Sequence, residues 1–116
     1  MIAQWLAAVR KEADPGELGM ILIHNGIVRG TSKQGTPVSG MDLSYDEEKL
    51  RRLVDEQKAK DGIVDIKVWI NQGRLQVGDD IMRVLVAGRF RTDVVPVFES
   101  LLSTIKGKIV RERELG

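Results

Sequence analysis

The chain has 116 residues, 42% of them hydrophobic, enough for one core of ordinary size and too few for a second independent one, so residues 1–116 are read as a single domain. Lys and Arg number 18 against 17 Asp and Glu, a formal charge of +1, so no global field draws nucleic acid or an anionic membrane and any anion site has to be local. With no cysteine and one histidine, His24, the chain is denied disulfide frameworks, thiol nucleophiles, zinc-cysteine centres and multi-histidine metal sites, and neither metal nor cofactor is expected.

The chain opens with Ile2, Trp5, Leu6 and Val9 at helical spacing over residues 2–12, and "DPG" at 14–16 stops that helix. The apolar stretch is far shorter than a membrane span and carries neither a basic leader nor a cleavage site, so a cytoplasmic protein is expected. "MILIHNGIV" (20–28) is a β-branched run suited to a strand covered on both faces. "RGTSKQGTPVSG" (29–40), rich in Gly, Ser, Thr and Pro, reads as an exposed loop.

"MDLSYDEEKLRRLVDEQKAK" (41–60) begins as a brief strand. Ser44 and Glu47 then stand at capping-box spacing ahead of Leu50, Leu53 and Val54 on one helical face, with the end near Gly62. "IVDIKVWI", "RLQV" and "IMRVLVAG" are strands separated by "NQG" and "GDD", an arrangement that suggests a meander. From Thr92, the residues Val94, Val97, Phe98, Leu101, Leu102 and Ile105 form a further amphipathic helix, with Pro96 expected in its first turn and Gly107 at its end. "KIVRERE" alternates as a last strand. Helices and strands intermingle, so the class is mixed α/β or α+β.

No general enzyme signature is present: no dinucleotide or phosphate loop, no nucleophile elbow, no zinc-protease motif. The acids at 46–48 are explained by the macrodipole at a helix start. His24 sits inside an apolar strand, where a structural role is expected. Trp5 and Trp69 lie in apolar patterns without the interleaved basic residues of a base-stacking platform. The arginines carry more. Arg29 follows one strand, Arg89 and Arg91 another, and Lys106, Lys108, Arg111 and Arg113 crowd the C-terminal segment. If strand ends converge, these form a pocket for phosphate or carboxylate; if not, they are solvated charges that keep edge strands from mispairing.

From Trp5 to Glu114 the chain resembles the large, catalytic subunit of molybdopterin synthase, and it is identified as MoaE-like. The family's strand ending in Phe-x-Gly-x-Val-Arg appears as "HNGIVR", with Gly26, Val28 and Arg29 kept, and its Leu-x-Tyr-Glu-like segment as "LSYDEE". The His-Arg-x-Gly-x-Leu-x-x-Gly-Asp unit appears as "INQGRLQVGDD": Gly73, Leu75, Gly78 and Asp79 match, while Ile70 and Asn71 replace His-Arg. A second His-Arg is Phe90-Arg91. In the Trp-Lys-x-Glu signature Val110 stands for the tryptophan and Arg111 for the lysine, and the sequence runs out before the family's second lysine. Lys106 matches a lysine at the helix end, distinct from the motif lysine.

The resemblance implies an α/β hammerhead-type domain with an additional small antiparallel β subdomain, and a homodimer whose sites borrow residues across the interface. It implies sulfur transfer to precursor Z, a cyclic pterin phosphate, from the thiocarboxylated Gly-Gly terminus of a small ubiquitin-like subunit. Arg29 and Arg91, with Arg89 beside them, then grip the phosphate or pterin, and Lys106, Lys108 or Arg111 stands near the sulfur donor. An arginine stays protonated and cannot replace a proton-accepting or covalent amine. Three readings result: a divergent synthase subunit, a noncatalytic dimeric module that docks the carrier or an anion, and a structural domain with incidental charges. Partners other than nucleic acid or membrane are expected in the first two.

Overall fold

The computed structural model describes all residues from Met1 to Gly116. In chain order the elements are α1 (Ile2–Glu12), β1 (Met20–Ile27), β2 (Gly40–Tyr45), α2 (Glu47–Lys58), β3 (Ile63–Ile70), β4 (Gly73–Gln76), β5 (Asp80–Gly88), α3 (Arg91–Thr104), a π-helical turn (Ile105–Ile109) and β6 (Val110–Leu115). They make two three-stranded antiparallel sheets, ordered β1-β5-β3 and β4-β2-β6.

β5, the central strand of the first sheet, is buried along most of its length because both of its faces are covered. On one face Leu85 and Ala87 meet Val9 of α1, with Trp5, Leu6, Ile21 and Ile23 around them. On the other, Val84 and Val86 pack with Val94, Leu101 and Ile105 of α3 and its extension, and with Leu53 of α2. Met41, Leu43, Leu75 and Val110 of the small sheet join that same cluster, so the two sheets share one core.

Four expectations are corrected. Strands β3, β4 and β5 do not form a meander: β3 pairs with β5, whereas β4 crosses to β2, where Leu75 lies opposite Met41 and both are buried. The α2 cap is Asp46, whose carboxylate accepts from the Lys49 N–H at 3.0 Å; Ser44 is engaged in β2 opposite Arg111. Because α3 already begins at Arg91, Pro96 falls in its second turn. Gly107 does not end α3; it lies inside the π-helical turn, anchored by the buried Ile105 and Ile109. The 29–40 segment is exposed but ordered by a small hairpin closed through an isolated bridge between Thr31 and Pro37. No helix is long and apolar enough to cross a membrane.

Candidate functional site

The pairing of β1 with β5 is regular from Met20–Gly88 to Gly26–Met82 and then jumps to Ile27–Asp80. The extra residue, Ile81, makes a bulge, which bends a strand pair and re-aims the residues beyond it. Val28, the next residue of the first strand, is gripped by the turn before β5: its N–H donates to the Asp79 carbonyl at 2.9 Å and its carbonyl accepts from the Gly78 N–H at 2.9 Å. Gly78 takes φ +93 to make that turn, and the Asp79 carboxylate accepts from the Gln76 N–H at 2.7 Å. "GIVR" and "GRLQVGDD", some fifty residues apart in the chain, are thus two halves of one device. The second holds the backbone from which Arg29 projects.

Arg29 lines a cleft of about 450 Å³ between the two sheets, floored by Val28, Met41 and Ile81. That volume lies within the roughly 300–1,000 Å³ of small-molecule sites. Lys106 enters the cleft from the π-helical turn, and Lys33 from the loop hairpin. Glu112 and Glu114 enter from β6. Their direction is set by register: Val110 is buried, and Glu112 and Glu114 lie opposite Leu43 and Met41, both buried, so all share the inward face. Arg111 and Arg113 face outward. None of Arg29, Lys33, Lys106, Glu112 and Glu114 has an ion-pair partner within 4.0 Å.

The outward face of the small sheet is arranged differently. Asp42 is clasped by Arg74, whose Nε donates to Oδ1 at 2.9 Å, and by Arg113. The hydrogen bond from Arg74, then that from Arg113, hold its carboxyl down at about 2.

The other residues expected at the site separate. Lys108 and Arg111 line a groove with Lys49 at the start of α2, away from Arg29. Five residues of π-helical turn, fixed by buried isoleucines at both ends, put Lys106 and Lys108 on different sides. Arg89 is paired with Asp61 at 3.1 Å and approaches Glu17 at 3.6 Å. Arg91 is exposed at the first position of α3 beside Phe90, which is 65% exposed. Both arginines lie beyond the β1 end that begins with Met20, whereas Arg29 lies beyond the other, so the length of the strand, about 23 Å at ~3.3 Å per residue, separates them. The expected convergence of Arg29, Arg89 and Arg91 within one chain does not occur, because antiparallel pairing sends successive strand exits to opposite ends.

His24 is half-buried opposite Val84, and Trp5, on α1, packs against the cluster of Val9, Leu85 and Ala87. Trp69 stacks under the Arg83 guanidinium at 5.2 Å, and Arg83 is also bound to Asn25 and Asp80 at 2.6 Å each. The sequence reading missed Lys33, Glu112 and Glu114. Counting by twos from Val110 finds the glutamates; a turn apex gives no sign that Lys33 points into a cleft.

A family model described as "MoaE protein" matches residues 2–108. An uncharacterized protein of Methanocaldococcus jannaschii is 32% identical over 95 residues, which cover 78% of this chain and 80% of that one. Among solved structures, a MoaE protein from Burkholderia ambifaria is similar at TM-score 0.77 and 22% identity, covering 99% of this chain and 82% of that one. Molybdopterin synthase from Staphylococcus aureus is similar at TM-score 0.72 and 23% identity, covering 84% and 74%. A complex of subunits 1 and 2 of the molybdopterin-converting factor from Helicobacter pylori is similar at 0.72 and 19%, covering 97% and 77%. The structural likenesses carry the mixed α/β fold, and the family match, spanning nearly the whole sequence, carries the assignment: the chain belongs to the MoaE family.

Proposed function

We propose that this chain is the large subunit of a cytoplasmic molybdopterin synthase, acting in the Arg29–Lys106 cleft. Family membership gives it a role in molybdenum cofactor biosynthesis. The observation that carries the assignment of the site is that Arg29 and Lys106, from elements remote in sequence, face one cleft with neither charge committed to an ion pair. A guanidinium grips phosphate in two-pronged fashion, and a lysine supplies an amine that loses its proton when its surroundings require it. Arg111, in the place of the motif lysine, therefore does not leave the site without an amine. Lys106 takes the role near the sulfur donor, and Lys108 and Arg111 do not reach it in one protomer.

The substrate of this reading is a pterin phosphate, and the sulfur donor a small ubiquitin-like carrier with a thiocarboxylated Gly-Gly terminus. The two-subunit complex from Helicobacter pylori, similar in fold, supports a small carrier partner for this chain. Arg91 joins the site from a second copy. Its distance from Arg29 within one chain leaves a second copy as the route by which it could take part, and the exposed Ile27, Val77 and Phe90, at 54%, 47% and 65%, offer apolar area for a two-fold contact.

The test mixes inactive protomers. Arg29→Ala and Arg91→Ala are each expected to abolish molybdopterin formation from precursor Z and a thiocarboxylated carrier. Unfolding and refolding them together restores about a quarter of the wild-type rate, because half of the dimers are mixed and one of their two sites is intact. No recovery on mixing, with dimers present, places both arginines in the same site of one chain or Arg91 outside it. Carrier binding without turnover in the wild type selects the noncatalytic module instead.

A further inference from the structure

One row of side chains crosses the large sheet just before the bulge. Asn25 lies opposite Arg83 and Arg83 opposite Trp69, so the three share the face that α1 covers over Leu85 and Ala87. A regular strand turns residues three apart to opposite faces, which would send Asp80 away from Arg83. The extra residue, Ile81, brings it back to the same face. There three polar side chains close a ring. Arg83 donates through Nε to Asn25 Oδ1 and through Nη2 to Asp80 Oδ2, at 2.6 Å each, and Asn25 Nδ2 donates to Asp80 Oδ1 at 2.8 Å. Trp69 supports the guanidinium, whose Cζ lies 5.2 Å from the ring centroid. From the end of β3, Asn71 donates through its side chain to the Asp80 carbonyl and through its backbone to the Ile81 carbonyl, at 2.9 Å each. Asn25 stands on the regular side of the bulge and Asp80 beyond it, so the ring spans the irregularity.

We infer that Arg83 is a positioning residue for Arg29: its guanidinium holds Asp80, and through Asp80 the bulge, in the register that turns Arg29 into the cleft. This rests on the pterin-phosphate reading and adds a residue outside the cleft on which the site depends. The line of contacts is short. Asp80 pairs with Ile27, and the carbonyl of its neighbour Asp79 accepts from the Val28 N–H at 2.9 Å, so a shift of the bulge moves the backbone immediately before Arg29. In the register without a bulge Asp80 faces away from Arg83 and the ring cannot close; the ring therefore favours the bulged register over the slipped one. Arg83 does not line the cleft, and its side chain is only 21% exposed, so it acts through backbone geometry and not by touching a ligand. A lysine cannot replace it, because one ammonium lacks the fork that reaches Asn25 and Asp80 together while stacking on Trp69.

The experiment is a double-mutant cycle between Arg83→Met and Arg29→Ala, read as precursor Z affinity by calorimetric titration of the full chain, with a urea midpoint for each variant. Arg83→Met weakens precursor Z about tenfold when Arg29 is present and less than about twofold in the Arg29→Ala background, a coupling that a general loss of stability does not produce. Arg83→Lys, which keeps the charge, weakens it about as much as Arg83→Met. Asp80→Asn leaves Arg83 in place and removes the carboxylate it holds; it shows the same coupling at about three- to tenfold, which decides the question should Arg83→Met fail to fold. Equal weakening by Arg83→Met or Asp80→Asn in both backgrounds, or wild-type affinity in Arg83→Lys, overturns the positioning role while weakening by Arg29→Ala leaves the pterin-phosphate reading standing. Unchanged affinity in Arg29→Ala overturns that reading, and the role of Arg83 with it.

Discussion

The two faces of the β4-β2-β6 sheet use charge in opposite ways. Outside, Asp42 is enclosed by Arg74 and Arg113, and its carboxyl is held down at about 2, so the charges satisfy one another. Inside, Glu112 and Glu114 share a cleft with Arg29, Lys33 and Lys106, and none of the five has an ion-pair partner. One strand, β6, serves both faces through simple alternation. The lesson is that the charged residues of "VRERE" divide by parity, Glu112 and Glu114 from Arg111 and Arg113, whereas the π-helical turn is what separates Lys106 from Lys108. Those that close on a neighbouring carboxylate stabilise the sheet, and those left free around a concavity are available to a ligand.

The contrast is broken most severely by removing what supports both faces. Leu43 is 3% exposed and lies opposite Glu112, so Leu43→Ala is expected to cost about 2–5 kcal/mol in urea unfolding and to disorder both the clasp and the cleft. Next is Arg29→Ala, which should weaken precursor Z about a hundredfold in titration while leaving the urea midpoint unchanged, since its side chain makes no structural ion pair. Gly35→Ala, at φ +84, should destabilise the hairpin by about 1 kcal/mol. Hydrogen exchange checks it: the Ser32 amide speeds up while amides of β5 do not.

The smallest effect belongs to the outward face. Folding lowers the Asp42 pKa, so the clasp stabilises the protein fully above the ordinary carboxylate range near 4. That contribution is lost as pH falls through about 2. A carboxyl titration followed by NMR should give a midpoint at about 2 for Asp42 and unchanged precursor affinity in Asp42→Asn. A midpoint near 4 shows that the clasp is not formed in solution.

Much of the fold was legible because long amphipathic segments announce themselves. The helices over Ile2–Glu12 and Arg91–Thr104, and the strands Ile63–Ile70 and Asp80–Gly88, can be read from periodicity alone. Periodicity does not encode partnership: four residues of β4 read the same whether they pair with β3 or cross to β2, and the deciding contact is Leu75 against Met41. The cap moved from Ser44 to Asp46 because strand pairing claimed the serine first. Arg29 was visible as a strand-end arginine in a recognisable motif. Its companions were not, since the separation of Lys106 from Lys108 depends on a π-helical turn and the inward aim of Glu112 on register with β2.

The most direct measurement is molybdopterin formation from precursor Z and a thiocarboxylated small subunit, read as the fluorescent oxidation product, with Lys106→Ala, Lys108→Ala and the wild type side by side. The cleft assignment predicts product from the wild type and Lys108→Ala, and a loss of about a hundredfold or more in Lys106→Ala. Full activity in Lys106→Ala together with its loss in Lys108→Ala would contradict it and move the chemistry to the groove beside Arg111.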